Sequence, residues 1–170
     1  MSRAFVKDGT EDLAAEALPE RPVEAGPNYL TQEGLDRLRA RVEELHAEHA
    51  RLKEAAADFD RPRLMQIERD LRYLQARLEA AVVVDIAAQP RDAVHFGARV
   101  KAEDENGRTH VFTIVGEDET DAAHGRVSWQ SPLAKALIGA QVGDTVTWHR
   151  PAGVTSLEVL AIDYPKTKRK

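Results

Sequence analysis

The sequence predicts an α+β fold in which an antiparallel coiled-coil helical hairpin precedes a small antiparallel β domain with one short helix. Two observations predict the hairpin: two rows of apolar residues at alternating steps of three and four, and a proline-containing break between them. After Ala81 the residue pattern changes to short segments rich in β-branched residues that are separated by turn residues, and this pattern predicts the sheet. In chain order we expect an extended or disordered leader (1–27), the hairpin (28–85), the β domain (86–165) and a basic tail (166–170).

Each apolar row predicts the contact face, or seam, of one helix. The first row is Leu35, Leu38, Val42, Leu45, His49, Leu52 and Ala56, and the second is Leu64, Ile67, Leu71, Leu74, Leu78 and Ala81. The connection between them is short, and Pro62 cannot lie inside a helix that runs through it from Asp58. The chain must therefore reverse there, and arms of about 26 residues give a finger roughly 39 Å long.

The start of the first helix carries its own signals. Thr31 is a typical N-cap residue, and Gln32 and Glu33 follow in the first turn, where the helix dipole favours an acid. Gly34 costs up to about 1 kcal/mol relative to alanine at such a position. We therefore expect a close-packing reason for it.

Turn residues divide the C-terminal half into strands and one helix. The predicted strands are His95–Glu103, Arg108–Val115, Arg126–Gln130, Thr145–His149 and Ser156–Tyr164. Asn106-Gly107 is the strongest hairpin signal in the chain. A short helix is predicted where Ser131 can cap, Pro132 can take the first helical position and Gly139 can end the helix.

Composition excludes several classes of function. The chain has 170 residues, a 42% hydrophobic fraction, a net charge of −5 and zero cysteines, so disulfides, thiolate nucleophiles and thiolate metal sites are excluded. Residues 28–85 carry ten basic and twelve acidic side chains, and no segment has the excess of basic residues typical of a nucleic-acid-binding domain. No apolar run could span a bilayer or form a secretory signal. We expect a cytoplasmic monomer that binds no membrane.

The sequence contains no pattern of an independent active site. Its six histidines lack metal-ligand spacing, and there is no nucleophile elbow, phosphate loop or dinucleotide-binding glycine pattern. We therefore expect a protein that is not itself an enzyme.

Acidic residues at the predicted hairpin tip are the remaining candidates for a chemical role. Glu54, Asp58 and Asp60 lie close together in sequence there, and carboxylate oxygens are the ligands that Mg²⁺ prefers. The alternative is that Asp60 simply caps the second helix through its backbone amides. In that case Asp58 is the better candidate ligand.

Several strings resemble the GreA/GreB family of bacterial transcript-cleavage factors. They are Tyr29-Leu30-Thr31-Gln32-Glu33-Gly34-Leu35, Val83-Val84-Asp85, Phe96-Gly97-Ala98, Ile114-Val115-Gly116-Glu117-Asp118-Glu119, the segment 131–139, Val142-Gly143-Asp144 and Pro151-Ala152-Gly153. The resemblance covers roughly residues 28–165. Arg72-Tyr73-Leu74 together with Asp85 is more similar to the GreB side of the family.

The resemblance implies a partner and a mechanism. Members of this family insert the hairpin into the secondary channel of bacterial RNA polymerase, while a C-terminal domain similar in fold to FKBP prolyl isomerases docks at the channel rim. Acidic tip residues then hold the second Mg²⁺ of the polymerase jointly with it and activate water. By this resemblance Asp58 and Asp60 are the candidate catalytic and metal-binding residues, and the protein has no cofactor of its own. Nucleic acid is met only through the transcription complex.

The resemblance and the exposed Ser-Pro helix together give a docking hypothesis. The matching family segment lies near the polymerase rim, so Ser131, Pro132 and Ala134 are the predicted polymerase-binding residues. The alternative is that Pro132 merely starts a helix whose apolar residues fill the core.

The tip departs from the family pattern. The family string Gly-Asp-x-x-Glu-Asn-Ala is absent, and Asp58-Phe59-Asp60 is the nearest substitute, on a hairpin about two heptads shorter. That shortens the finger by roughly 10 Å.

Two hypotheses remain: a Gre-type elongation factor that acts on stalled or backtracked complexes, or a non-cleaving occupant of the channel, like the Rnk proteins or a competitor of Gre factors. A third, prolyl isomerase activity, requires aromatic residues that the core of the domain needs.

Overall fold

The computed structural model describes residues 18–55 and 60–165, and its N-terminal half is the predicted hairpin. Helix α1 spans Gln32–Ala55 and helix α2 spans Arg61–Glu79. A residue late in α1, Glu48, pairs with a residue early in α2, Arg63, so the two helices are antiparallel. At 1.5 Å per residue α1 is about 36 Å long and α2 about 28 Å.

Burial along the seam is uneven. The seam residues with less than a tenth of their surface exposed are Leu35, Leu38, Leu45, Ile67 and Leu74. Leu52 and Leu64, the pair nearest the tip, are only half-buried, and so is Leu71. The predicted seam is confirmed over the base and middle of the hairpin, where Val42, Leu71 and Leu78 are also half-buried, and among the described residues its outermost buried pair is Leu45 and Ile67. No helix within 18–55 or 60–165 combines the length and apolarity needed to cross a membrane.

A two-stranded parallel sheet closes the base of the hairpin. Strand β1 (Asn28–Leu30) pairs with β2 (Ala81–Val83), with Tyr29 opposite Val82. The predicted assignment of Ala81 to the seam of the second helix is therefore wrong. Ala81 pairs with Asn28 across the base instead, and α2 ends at Glu79.

The C-terminal half is a five-stranded sheet in the order β5-β4-β3-β7-β6. Its strands are β3 (Arg99–Asp104), β4 (Thr109–Val115), β5 (Arg126–Ser128), β6 (Thr145–Arg150) and β7 (Gly153–Asp163). Neighbouring strands are antiparallel except at one edge, where β5 runs parallel to β4. The α+β fold class is confirmed, but the sheet is mixed. The chain returns through two short 3₁₀ turns after β4, so β5 starts opposite Thr113 and runs the same way.

Helix α3 (Pro132–Leu137) packs on the core of this domain, as the Ser-Pro signal predicts. The Ser131 hydroxyl accepts a hydrogen bond from the Ala134 amide at 3.1 Å, which caps the helix. The most deeply buried core residues are Val94, Ala98, Val100, Ala102, Ile114, Ala134, Leu137, Leu157 and Val159. The domain therefore has its own core, separate from the hairpin seam.

The β3–β4 connection is the turn that Asn106-Gly107 predicts, with Gly107 at a φ of 73°. Asp104 organises it: one carboxylate oxygen accepts from the amides of Asn106 (2.9 Å) and Arg108 (3.1 Å), and the other is 2.8 Å from Nε2 of His110. The hydrogen bond with His110, followed by the one from the Arg108 amide, lowers the pKa of Asp104 to about 2.

Candidate functional site

The hairpin tip is the first candidate site, and only part of it belongs to the described residues. Helix α1 ends at Ala55 and α2 begins at Arg61, while Asp58 lies outside the described residues. Asp60 occupies the N-cap position of α2, but its side chain accepts no capping hydrogen bond. The alternative in which the Asp60 side chain caps α2 is therefore wrong, and the reason for preferring Asp58 over Asp60 is removed, while both residues stay predicted ligands. The φ of −92° and ψ of −2° at Asp60 are helical rather than extended, which is not the usual N-cap geometry.

The described part of the tip does not form a metal site by itself. Over residues 18–55 and 60–165, no group of three histidine or acidic side chains is placed to hold a metal ion. Mg²⁺ needs about six oxygen ligands in nearly octahedral geometry, and proteins commonly supply only one or two of them. The described carboxylates of the tip therefore need further oxygen ligands, from water or from another molecule, to hold this ion.

Polar contacts across the two helices hold the outer part of the hairpin. Nε and Nη2 of Arg63 donate to the two carboxylate oxygens of Glu48 at 2.7 and 2.8 Å, and the hydrogen bond from Arg63 lowers the pKa of Glu48. His49 lies at its predicted seam position, where its Nε2 is 2.9 Å from Oε1 of Glu68. These contacts fix α1 against α2 where the leucines are only half-buried.

The junction between the hairpin and the sheet is the second candidate site, and Glu119 is at its centre. Its side chain is 1% exposed. One carboxylate oxygen accepts from the amides of Thr31 (2.9 Å) and Gly116 (3.1 Å), and the other accepts from the Thr31 hydroxyl and from Nη2 of Arg126 (3.2 Å). A carboxylate of the sheet domain thus binds the first residues of α1, where the helix dipole favours negative charge.

Gly34 has the close-packing role expected from its unfavourable position in the first turn. A Cβ atom built there would lie 2.3 Å from Cδ of Glu119, far inside van der Waals contact. Thr31 caps the same turn, since its hydroxyl oxygen accepts from the Gly34 amide at 3.0 Å. The glycine lets the buried carboxylate approach the helix.

Arg77 forms a second buried polar cluster at this junction. Its side chain is 6% exposed, its Nε donates to Asp118 at 2.9 Å and its Nη2 donates to the Asn28 side chain at 2.6 Å. Nη2 also lies 3.1 Å from a carboxylate oxygen of Glu117. Burial, the largest single influence, lowers the pKa of Arg77, but the hydrogen bond to Asp118 and the negative charges of Asp118 and Glu117 together exceed it, and the net pKa is raised. The cluster joins β1, α2 and the loop after β4.

The predicted docking residues do not all reach the surface. Pro132 is exposed and Ser131 is half-buried with its hydroxyl engaged in the cap. Ala134 is fully buried in the core of the domain. Its predicted place on a docking surface does not agree with that burial, because position three of α3 faces the sheet. Lys135 on this helix and Ile138 directly after it are the exposed neighbours.

Sequence relatives identify the chain. A family model described as "Transcription elongation factor, GreA/GreB, C-term" matches residues 89–164, the region of the sheet and α3. A transcription elongation factor GreB from Xanthomonas axonopodis pv. citri is 38% identical over 159 residues, covering 84% of this chain and 95% of that factor. The chain belongs to the GreA/GreB family. The predicted resemblance is confirmed, and the GreB relatives make it a GreB-like member.

Further relatives agree with this assignment. GreB of Neisseria meningitidis serogroup B is 43% identical over 109 residues, covering 64% of this chain and 67% of that factor. Among solved structures, GreA factor homolog 1 (Gfh1) of Thermus thermophilus is 25% identical, with 81% of this chain and 99% of that chain covered at a TM-score of 0.40. The family assignment depends on the sequence relatives.

Within this GreA/GreB member, local pattern revealed the tip and the Ser-Pro helix but not the junction. Glu119 and Arg77 were missed, although Gly34 gave an indirect sign of the first. The partners of both residues lie far away in sequence: Thr31 and Glu119 are 88 residues apart, and Arg77 and Asp118 are 41 apart.

Proposed function

We propose that this GreA/GreB family member binds bacterial RNA polymerase, inserts its hairpin into the secondary channel, and modulates stalled or backtracked elongation complexes without cutting the transcript efficiently. It supplies no active site of its own and at most lends carboxylates to the polymerase. The observation that carries the proposal is the mounting of the hairpin on the sheet domain, through buried Glu119, in a chain 38% identical to a GreB factor along 95% of that factor.

The geometry of the junction supports an inserted finger. A hairpin that inserts into a channel must keep a fixed orientation relative to the domain that docks outside the channel. Glu119 and Arg77 fix that orientation with charge-assisted hydrogen bonds, which are buried at Glu119 and partly buried between Arg77 and Asp118. Helices joined only by a flexible linker would lose this orientation.

The length of the hairpin supports weak cleavage. The alignment with the Xanthomonas factor has 159 positions, yet 84% of 170 residues is only about 143, so roughly 16 positions of that factor have no counterpart here. The family pattern predicts that about two heptads of these belong to the hairpin, and divided between two arms they correspond to roughly 10 Å of reach. A carboxylate ligand must lie within about 2.1 Å of Mg²⁺, so a deficit of that size excludes coordination unless the docked protein sits deeper.

A cleavage assay on backtracked complexes with purified polymerase tests the proposal. We expect the wild-type protein to bind polymerase and to cut the transcript far more slowly than a full-length GreB. The variants D58A and D60A should bind like wild type, and E79A, which removes a carboxylate at the base of α2, is the matched control. Rapid cleavage that D58A or D60A abolishes with binding intact would establish the tip as catalytic. Absence of polymerase binding would overturn the whole proposal.

The docking surface has its own test. If Pro132 contacts the polymerase, P132A should weaken binding while circular dichroism and thermal unfolding stay close to wild type. P151A is the matched control, because Pro151 is an exposed proline in the β6–β7 turn of the same domain. Equal binding of P132A and P151A would remove the Ser-Pro turn from the interface.

A further inference from the structure

The segment before the hairpin, residues 18–27, lies along the outside of α2, and we call it the strap. Both carboxylate oxygens of Glu20 accept hydrogen bonds from Arg72, at 3.1 and 3.3 Å from its Nε. The guanidinium carbon of Arg21 lies 3.8 Å from the centroid of the Tyr73 ring, and its Nη1 lies 3.5 Å from a carboxylate oxygen of Asp70. The strap is therefore attached to one face of α2 by two charged residues.

The contacts define how far the strap extends along the finger. At the base of the hairpin, Asn28 contacts Arg77, whereas Glu20 and Arg21 contact residues between Asp70 and Tyr73. Followed backwards from Asn28, the strap thus rises from the base towards the tip. It accompanies α2 from its end at Glu79 up to Asp70, about 15 Å at 1.5 Å per residue, and leaves about 13 Å between Arg61 and Arg69 uncovered.

The strap makes the lower half of the finger thicker than the upper half. Residues 18–27 are all exposed, so they lie outside the two helices rather than filling the seam between them. A further layer of extended chain that packs through side chains adds about 10 Å, judged from the face-to-face spacing of packed layers, to helices that are each about 10–12 Å wide. A passage that admits two packed helices closely will not admit two helices and a strap.

We propose that the strap is a depth stop: while it is attached to α2, only the uncovered outer part of the hairpin enters the channel, and its release lets the finger advance. This inference rests on the proposed insertion into the polymerase. Glu20 and Arg72 have exposed side chains, at 61% and 57%, and ion pairs of that kind are weak and screened by salt. The stop is thus built from contacts that a competing surface at the channel mouth can replace.

A stapled full-length variant tests the depth stop. The chain has no cysteine, so E20C/R72C introduces one defined pair that a short bismaleimide can join. The polymerase is loaded with Fe²⁺ in place of its catalytic Mg²⁺, and hydroxyl radicals then cut whichever part of the hairpin lies near the iron. We expect weak cutting near Ala55 and Arg61 in the stapled protein. The same protein without the staple should be cut strongly there, because advance of the finger by up to about 15 Å moves its tip towards the iron.

The outcomes separate this proposal from the proposed function. Equal polymerase binding with equal cutting of stapled and unstapled protein would overturn the depth stop alone. Failure of both forms to bind polymerase would overturn the proposed function and the stop with it. A charge swap gives an independent check: E20R and R72E should each increase cutting at the tip, and E20R/R72E should restore the wild-type pattern. Increased cutting that persists in the double variant would contradict a role for this contact.

Discussion

The base and the tip of the hairpin are held by different kinds of interaction. At the base, buried leucines, paired β-strands and the desolvated side chains of Glu119 and Arg77 join the hairpin to the sheet. At the tip, the leucines are half-buried and the cross-helix contacts are partly exposed. Orientation is thus determined where groups are removed from water, and the length and acidic residues of the tip can change with little effect on the fold.

The largest effect that tests this comparison is expected at Glu119. E119A leaves the amides of Thr31 and Gly116 and Nη2 of Arg126 without their carboxylate acceptor, while Nε of Arg126 keeps the backbone oxygen of residue 119. Removing one partner of such a cluster costs about 3–5 kcal/mol of unfolding free energy. Urea denaturation measures it, with E158A on the exposed surface of β7 as the control, expected within about 0.5 kcal/mol of wild type. Equal losses in the two variants would contradict a buried junction.

Two seam truncations compare the middle of the hairpin with the tip directly. Ile67 is fully buried, so I67A should lower the unfolding free energy by about 2–5 kcal/mol. The loss combines the transfer free energy of the removed atoms with the cost of the cavity that they leave. Leu64 is half-buried one turn closer to the tip, and L64A should cost only about 1 kcal/mol. Thermal or urea unfolding followed at 222 nm gives both values. A larger loss for L64A would reverse the comparison.

A smaller loss is expected at Gly34. Alanine there gains up to about 1 kcal/mol in helix propensity but drives a methyl group into Glu119, and overpacking of this kind costs about 1–3 kcal/mol. The shorter carboxylate of E119D withdraws from the helix. The double variant G34A/E119D should therefore lose less unfolding free energy than the sum of the single variants. Strict additivity in this cycle would show that the two positions do not touch.

The smallest effect is expected at the tip contact between Arg63 and Glu48. The hydrogen bond from Arg63 lowers the pKa of Glu48, so its contribution to stability is present above the ordinary glutamate pKa and is lost as the pH falls through the lowered value. R63A should lower the melting temperature slightly at neutral pH and low salt. The difference from wild type should vanish in acid or high salt. A large loss independent of salt would mean that the tip is held as firmly as the base.

The sequence predicted the elements whose signals are local. Alternating steps of three and four apolar residues predicted the hairpin, Asn106-Gly107 predicted the β3–β4 turn, and Ser131-Pro132 predicted α3. Contacts between distant segments were not predictable in this way. The parallel pairing of Asn28–Leu30 with Ala81–Val83 and the partners of Glu119 depend on how the hairpin and sheet meet, which no local pattern records.

The site shows the same limit. Glu54 and Asp60 lie at the two helix ends next to the turn and Asp58 lies outside the described residues, but the side chain of Asp60 does not make the capping bond that its position suggested. Residue type alone could not reveal this, because capping depends on the backbone conformation at the helix start. Ala134 was similarly placed on a surface by its position beside Ser131 and Pro132, whereas α3 turns it into the core.

The long sequence separation within the junction has a consequence for how the molecule folds. The contacts between α1 and α2 join neighbours across a short turn, and local contacts of this kind form rapidly. The hydrogen bond between Thr31 and Glu119 instead joins residues that are 88 positions apart. Because closing so long a loop costs entropy, docking of the hairpin on the sheet is the slower step. During synthesis the hairpin leaves the ribosome before the sheet exists, and Arg77 meets Asp118 only after β4 is complete. We expect refolding in two kinetic phases, a fast gain of helix followed by a slower docking phase that E119A removes.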